Sequence, residues 1–419
     1  VIKRMKGQKT YEERREEIYA PLRAEGIFTW DHLYGEEYAL AGICPVSAAF
    51  RQELADAAAQ LAAIFAKVVP VVQQAPVPLL TELGIPEAAQ DAVRLPVLPE
   101  WVTVVGRFDF AATPAGLKML ELNSDTPTGI VEAFHVNGHV CRYFGLADPN
   151  EGMAEQLSRA FARIVQQYRQ WGYPVEQIVF SALDWHEEDA GTTRYLLKQS
   201  GLTGRFVPLS DLRVYEDGLY VLRADGLEPI DVLYRLHALE KLAEETDTDG
   251  YPTGAHVLRL VAERKLALIN PPSAFVAQTK ALQALIWSLH EAGEFFTEAE
   301  HAIIERYMLP TYFENRFQGR APYVTKPIFG REGGGVVLHE ADGTIDEQDR
   351  EEHYWEQPMI YQQRVELPEV EVETMKGKAR GRLLWGTFLI GGEASAIVAR
   401  VGGRITNNLS WYLPTGIQT

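Results

Sequence analysis

The sequence predicts a composite of α/β and α+β architecture, and three observations carry that expectation. An alanine-rich stretch with apolar residues at helical spacing lies before residue 95, strand-like and helix-like segments alternate through the middle, and beyond Pro310 short apolar runs are separated mainly by turns. Alternation of the two element types favours an α/β lobe, whereas successive strand-like runs favour an antiparallel sheet. The expected divisions are a mainly helical region over 1–95, an α/β region over 96–270, and a strand-rich region over 271–419 that packs back on the central lobe.

The first element runs from Ser47 to about Val69, where Phe50, Leu54, Leu61, Phe65 and Val68 recur with the period of a helix. Ser47 can cap its start, and Pro70 is expected to end or kink it. Next come TVVGRFDF and LKMLELNSDTPTG around a turn with Pro114 and Gly116, which read as a strand pair. Side chains alternate along a strand, so Arg107 and Asp109 share one face, as do Glu121 and Asn123. Asp109, Glu121 and Asn123 offer hard oxygen atoms of the kind that hold Mg²⁺, and Arg107 could clamp developing negative charge. A structural network in which Arg107 pairs with Asp109 or Glu121 is the competing reading.

In QIVFSALDWHEEDAGTTRYLLKQSGLTGRFVPLSDLRV the pattern is strand, helix, strand, with Gly201 close to the helix end and another strand near DVLYRL. His186, Glu187 and Glu188 begin that helix, where carboxylates are favoured by the helix field. Glu187 and Glu188 either serve that purpose or face a crevice and bind an amine. ALINPP gives a strand before a helix over roughly Ala274 to His290, with Lys280 near its first turns, where a lysine can reach phosphate. Two lobes of this kind create a crevice, a usual place for ligands.

The central feature is YVTKPIFGREGGGVVL, with Lys326 ending one predicted strand and Gly330, Gly333, Gly334 and Gly335 preceding the next. Glycines let backbone amides close over phosphate oxygens where a side chain would block the approach. No Lys-Ser or Lys-Thr pair follows the glycines and no helix is evident after them, so both the P-loop and the dinucleotide fingerprint fail. A β-hairpin covering phosphate and a plain structural hairpin both fit what remains.

The bulk composition bounds the partners. The chain carries 40 basic against 58 acidic residues, a formal charge of -18, which argues against nucleic acid and favours a cationic partner. Cys44 and Cys141 are too few for a disulfide scaffold or a thiolate zinc site, and are expected to be reduced. The first residues lack a secretory core and no uninterrupted run of about 20 apolar residues could span a bilayer, so no membrane partner is expected and the cytoplasm is the default.

Together these residues resemble the synthetase region of the glutathionylspermidine synthase family. The matching phrases are GRFDF, LELNSDTPTG, INPPSAFVAQTKAL, VTKPIFGREGGG and IYQQ, in one order over roughly Tyr38 to Ile405. The resemblance implies an ATP-grasp fold with a strand-rich nucleotide-binding lobe, and ATP and Mg²⁺ as cofactors. It implies that Asp109, Glu121 and Asn123 are magnesium ligands and that Arg107 and Thr126 contact the reacting carboxylate or acyl phosphate. Lys280, Lys326 and the hairpin from Gly330 to Gly335, with Gln362, look like the ATP grip. Arg400 looks like the late arginine that clamps the transferring phosphate, and Glu187 and Glu188 like the acidic pair near the peptide and amine substrates.

The implied activity is ATP-dependent joining of a small-molecule or short-peptide carboxylate to a polyamine or other amine through an acyl phosphate. A phosphotransferase and a non-catalytic ATP-binding or scaffold protein are the alternatives. Some family members carry an amidase lobe before the synthetase; the setting of Cys44, GICPVS, shows no adjacent histidine, and no hydrolase activity is expected. The segment VLYRLHALEKL is less aromatic than expected of spermidine-conjugating relatives, so the acceptor is expected to vary.

Overall fold

The computed structural model describes residues 9–96, 98, 100–331, 333–349, 356–407 and 409–418. Its longest helix, Ala48–Gln73, starts where the Ser47 side chain accepts the Phe50 amide. It does not end at Pro70 but runs on through Gln73. Proline forfeits one helical hydrogen bond, yet Val68, Val69, Val72 and Gln73 are all buried around it, and that packing holds the last turn. By length and composition this helix could cross a membrane, although Gln60 and Lys67 interrupt its apolar run, as the sequence led us to expect. Half of its most apolar window is buried, and Leu54, Ala58, Leu61 and Phe65 sit in the main core.

That core lies between the helix and a six-stranded antiparallel sheet. Phe65 meets Phe108 edge to face at 5.8 Å, and Phe50 meets Trp385 at 5.1 Å. The sheet runs Trp411–Leu413, Glu393–Gly402, Gly377–Ile390, Val105–Thr113, Gly116–Asn123, with Glu369–Thr374 on the free part of the longest strand. The strands beyond Pro310 therefore enter three sheets rather than one. Those from Glu369 to Leu413 join the six-stranded sheet, where Gly377–Ile390 pairs with Val105–Thr113; the earlier ones build a separate five-stranded antiparallel sheet, and Thr415–Ile417 pairs in parallel with Cys44–Val46.

The middle of the chain folds as its alternating pattern predicts. Ala267–Ile269, Val232–Arg235, Ile178–Ala182 and Gly204–Pro208 form a parallel four-stranded sheet in that order. Helix Glu187–Ser200 connects two of its strands, capped by His186 and closed by Gly201 at φ 67°. The single helix expected from Ala274 to His290 is two, Pro272–Gln278 and Lys280–Ala292. Thr279 stands between them in extended conformation, its side chain accepting the Ala281 amide, so Lys280 opens a new helix.

Asn270 fastens the parallel sheet to the six-stranded one. Its Nδ2 donates to the carbonyls of Val105 and Asp125 at 2.8 and 2.7 Å, and its Oδ1 accepts the amides of Val104 and Val105 at 3.1 and 2.9 Å. Asn270→Ala strands these buried backbone groups, and we expect a loss of roughly 3–5 kcal/mol on summing their desolvation costs. Urea unfolding measures it; a loss no larger than an exposed alanine substitution gives would show the strands are held by other means.

Candidate functional site

The hairpin Val105–Thr113 and Gly116–Asn123 places Asp109 directly opposite Glu121 and Arg107 opposite Asn123, with an irregularity just after Asp109. The Arg107 guanidinium grips both Asp109 oxygens at 2.6 and 2.9 Å and donates to the Thr128 carbonyl at 2.6 Å. Gly386 lies across from Asp109 on the neighbouring strand, where a Cβ would stand 2.8 Å from Arg107 Cδ. The missing side chain leaves room for the arginine stem. Burial works against the Arg107 charge, but Asp109 outweighs it and raises its proton affinity.

Asn123 Nδ2 lies 3.2 Å from Asp109 and 3.4 Å from Glu121, so the two carboxylates converge on one amide. Lys280 Nζ stands 3.1 Å from the other Glu121 oxygen. Burial alone would raise the Glu121 carboxyl, yet Lys280, Lys326 and Arg107 together hold it well below the usual range. Lys326 Nζ donates to Gln362 Oε1 at 2.7 Å and to the Leu120 carbonyl at 3.3 Å, and burial pushes its pKa down to about 8. Gln362 in turn donates to Gln283 and Thr311.

Strands Tyr323–Pro327 and Val337–His339 pair around the glycine segment, as expected. The segment is fastened at both ends. Phe329 stacks on Phe275 at 4.7 Å, and Lys280 reaches the Ile328 carbonyl with its amide and the Gly330 carbonyl with Nζ. At the far end Gly333, at φ 75°, lies so close to Thr406 that a Cβ would stand 2.2 Å from its carbonyl oxygen. Arg331 crosses to the α/β lobe, donating to Thr126 Oγ1 and to Glu240, both at 2.8 Å.

Arg107, Asp109, Glu121, Asn123, Thr126, Glu188, Lys280, Lys326, Gly330, Gly333, Gln362 and Arg400 thus line a single cleft. Arg400 donates to the Asn407 carbonyl at 2.8 Å from the third strand of the cleft wall. Three expected residues stand elsewhere. Gly334 and Gly335 do not line the cleft, the Gly335 amide donating to Asp349 at 3.1 Å, and Glu187 accepts the Thr29 hydroxyl in a second cavity that Trp30 and Tyr195 also line. Helical geometry explains the last, since adjacent residues point about 100° apart.

Sequence reasoning misses Arg331 and the Asp125–Arg235 pair, although they lie in VTKPIFGREGGG, LELNSDTPTG and VLYRLHALEKL. Asp125 and Arg235 are each about 1% exposed and meet at 2.7 Å, and Asp125 also accepts the Leu239 amide at 2.9 Å. This ties the LNSDTPTG loop to the VLYRLHALEKL segment. The cysteines stand as expected: both thiols are free, and burial raises each, Cys141 to about 12.

The carboxylate and amide oxygens fit a small hard cation, since Asp109 and Glu121 already meet at one point and Asn123 can turn its oxygen there by an amide flip. Among the described residues no group of three His, Cys, Asp or Glu side chains gathers for a metal, so the amide is needed as a third donor.

Comparison with solved structures gives a fold match to a glutathione synthetase-like effector from Globodera pallida in apoform. The TM-score is 0.61, 98% of each chain is covered, and the sequences are 13% identical. The chain accordingly shares the fold of that effector. A curated protein of Haemophilus influenzae, named "Putative acid--amine ligase", is 26% identical over 275 residues, which is 63% of this chain and 63% of that protein. The model described as glutathionylspermidine synthase preATP-grasp matches residues 9–418, and the chain belongs to that family.

Proposed function

We propose that the cleft binds Mg-ATP and activates a carboxylate as an acyl phosphate, which an amine then opens to an amide. The observation that carries this reading is the meeting, in one cleft, of two carboxylates and an amide with two buried lysines beneath a glycine hairpin. A carboxylate oxygen is a poor leaving group until it bears a phosphoryl group, and that transfer needs positioning and positive charge rather than covalent help from the protein.

Lys280 and Lys326 would meet the triphosphate as point cations, with the Gly330 and Gly333 backbone and Gln362 lining the same cleft. Arg107 and Arg400 face the transferring phosphoryl group from two strands of the same sheet, while Thr126 orients the acid. Asp109, Glu121 and Asn123 would hold Mg²⁺, which supplies charge neutralisation between the phosphates. The seated hairpin excludes water from the acyl phosphate. Glu188 is the carboxylate placed for an ammonium group, consistent with a polyamine or other amine. The acid is a peptide or amino-acid carboxylate, after the family.

The decisive experiment incubates the protein with Mg-ATP, a panel of acids and hydroxylamine. An acyl phosphate yields a hydroxamate. A phosphorylated alcohol yields none, which would favour a phosphotransferase, and binding of Mg-ATP without any phosphate release would favour a scaffold.

Glu121→Gln should lower phosphate release by roughly 10²–10³-fold. It leaves the buried Lys280 without its carboxylate, as Asp109→Asn does Arg107, so circular dichroism establishes first that the variant is folded. A Glu121→Gln rate near wild type would exclude the metal role.

Gly333→Val cannot seat against Thr406, so water should reach the intermediate. The ratio of phosphate released to hydroxamate trapped should rise several-fold, on the order of the loss expected when a lid fails to close. An unchanged ratio would separate the hairpin from water exclusion.

Lys326 gives the pH dependence. In the free protein its pKa is pushed down to about 8, and a triphosphate favours the charged form and raises it. Binding near pH 8 should therefore take up protons, affinity should fall as pH rises through that value, and well below it the lysine is already charged and contributes no uptake. Calorimetry in two buffers of different ionisation heat reads the uptake, which Lys326→Met should abolish.

A further inference from the structure

The amine presents a problem the residues assigned so far do not solve. A primary alkylammonium is almost wholly protonated at neutral pH, only about one molecule in 10³ being the free base if its pKa is near that of lysine. It has no lone pair until a proton leaves. Asp109 and Glu121 are tied to Arg107 and Lys280 and would be taken up by the metal.

A different carboxylate lies just behind the cleft. Glu132 is fully buried at the start of a single π-helical turn, Glu132–Val136, an irregularity frequent at functional sites. Its Oε1 accepts Trp30 Nε1 at 2.9 Å and the Tyr38 hydroxyl at 3.0 Å. Its Oε2 is buried and makes no hydrogen bond among the described residues. Tyr38, 8% exposed, lines the cleft with Glu188 and Arg400, so its ring joins the amine side of the cleft to Glu132.

Resting on the ligase reading, we infer that Tyr38 and Glu132 form a proton relay that deprotonates the incoming ammonium group. The ammonium proton passes to Tyr38 Oη as the tyrosine proton passes to Glu132 Oε1. The neutral nitrogen forms the C–N bond while the acyl C–O bond to phosphate breaks. The surplus proton on nitrogen leaves with the phosphate, and Glu132 returns its proton to solvent through Tyr38 after product departs.

The chemistry of the pair suits this. A carboxylate buried without a cation in contact holds a proton more strongly than an exposed one; burial raises the Glu132 pKa against the pull of Trp30, its own backbone amide, Tyr38 and, at longer range, Arg400. The groups facing it are neutral at the donor end: Trp30 and Tyr38 on Oε1, with Tyr412 on the Glu132 carbonyl at 3.1 Å. Tyr38 touches the substrate and is the catalytic residue; Glu132 acts through it.

The test compares wild type, Glu132→Gln and Tyr38→Phe, each with Mg-ATP and the acid that gives the strongest hydroxamate from a panel of the common amino acids and glutathione. The nucleophiles are hydroxylamine, which is neutral near pH 7 and needs no base, and methylamine and spermidine, which are cations there. Both variants should lose amide formation at least about tenfold more than hydroxamate formation, and the deficit should shrink as pH approaches about 10 and free amine accumulates. Glutamine keeps the shape and the acceptor for Trp30 and Tyr38, so a purely structural Glu132 predicts equal losses with every nucleophile. Equal losses, or unchanged amide rates, overturn the relay. A wild type that forms hydroxamate but acylates neither amine also overturns it. A wild type that forms no hydroxamate from any acid removes the ligase reading itself, before any variant is made.

Discussion

The structure turns on the buried fork between Arg107 and Asp109. Burying an arginine and a carboxylate is worthwhile only if both are held in fixed geometry, because either one left alone would cost several kcal/mol, on the order of 3–5. Two antiparallel partners fix the strand that carries them, Gly116–Asn123 on one side and Gly377–Ile390 on the other. Gly386 gives the arginine its space, and Asn270 holds the strand's beginning. With that pair locked, Glu121 and Asn123 have only one place to stand.

The same economy governs the lysines. Lys280 reaches both Glu121 and the Gly330 carbonyl because Thr279 breaks the helix just before it and turns the first helical residue toward the hairpin. An uninterrupted helix would direct that side chain differently. Charge compensation among Glu121, Lys280 and Lys326 spans the junction of the two sheets, so one electrostatic cluster positions the strand pair and the hairpin together.

How much of this the sequence disclosed depended on distance along the chain. The strand pair, the glycine hairpin and the Glu187 helix were legible because period-two faces, turn residues and capping act within a few positions. The split of the late strands among three sheets was not, since a strand's local pattern does not name its partner. Pro70 did not end its helix for a related reason: its local penalty is fixed, while the burial that overrides it comes from residues far away. Tyr38 and Glu132 are 94 positions apart and neither belongs to a motif, so only the folded chain brings them together. Arg331 was in plain sight within GREGGG, but glycine drew attention to the backbone and away from the side chain that ties the hairpin to Thr126.

Net charge was the poorest guide to the site. The chain carries -18 overall, which taken alone points to a cationic partner. Among the described residues, however, the cleft is lined by six arginines and lysines, Arg107, Lys280, Lys326, Arg331, Arg400 and Arg404, against three carboxylates, Asp109, Glu121 and Glu188. A potential falls off over about 8–10 Å in physiological salt, so the acidic surface steers what approaches while the lining decides what binds. The two signs suit two kinds of ligand, a polyanion held deep among the cations and an amine drawn in by the exterior and met by Glu188. An enzyme that must bring a triphosphate and an ammonium group to adjoining positions needs both fields, separated by little more than the width of the cleft.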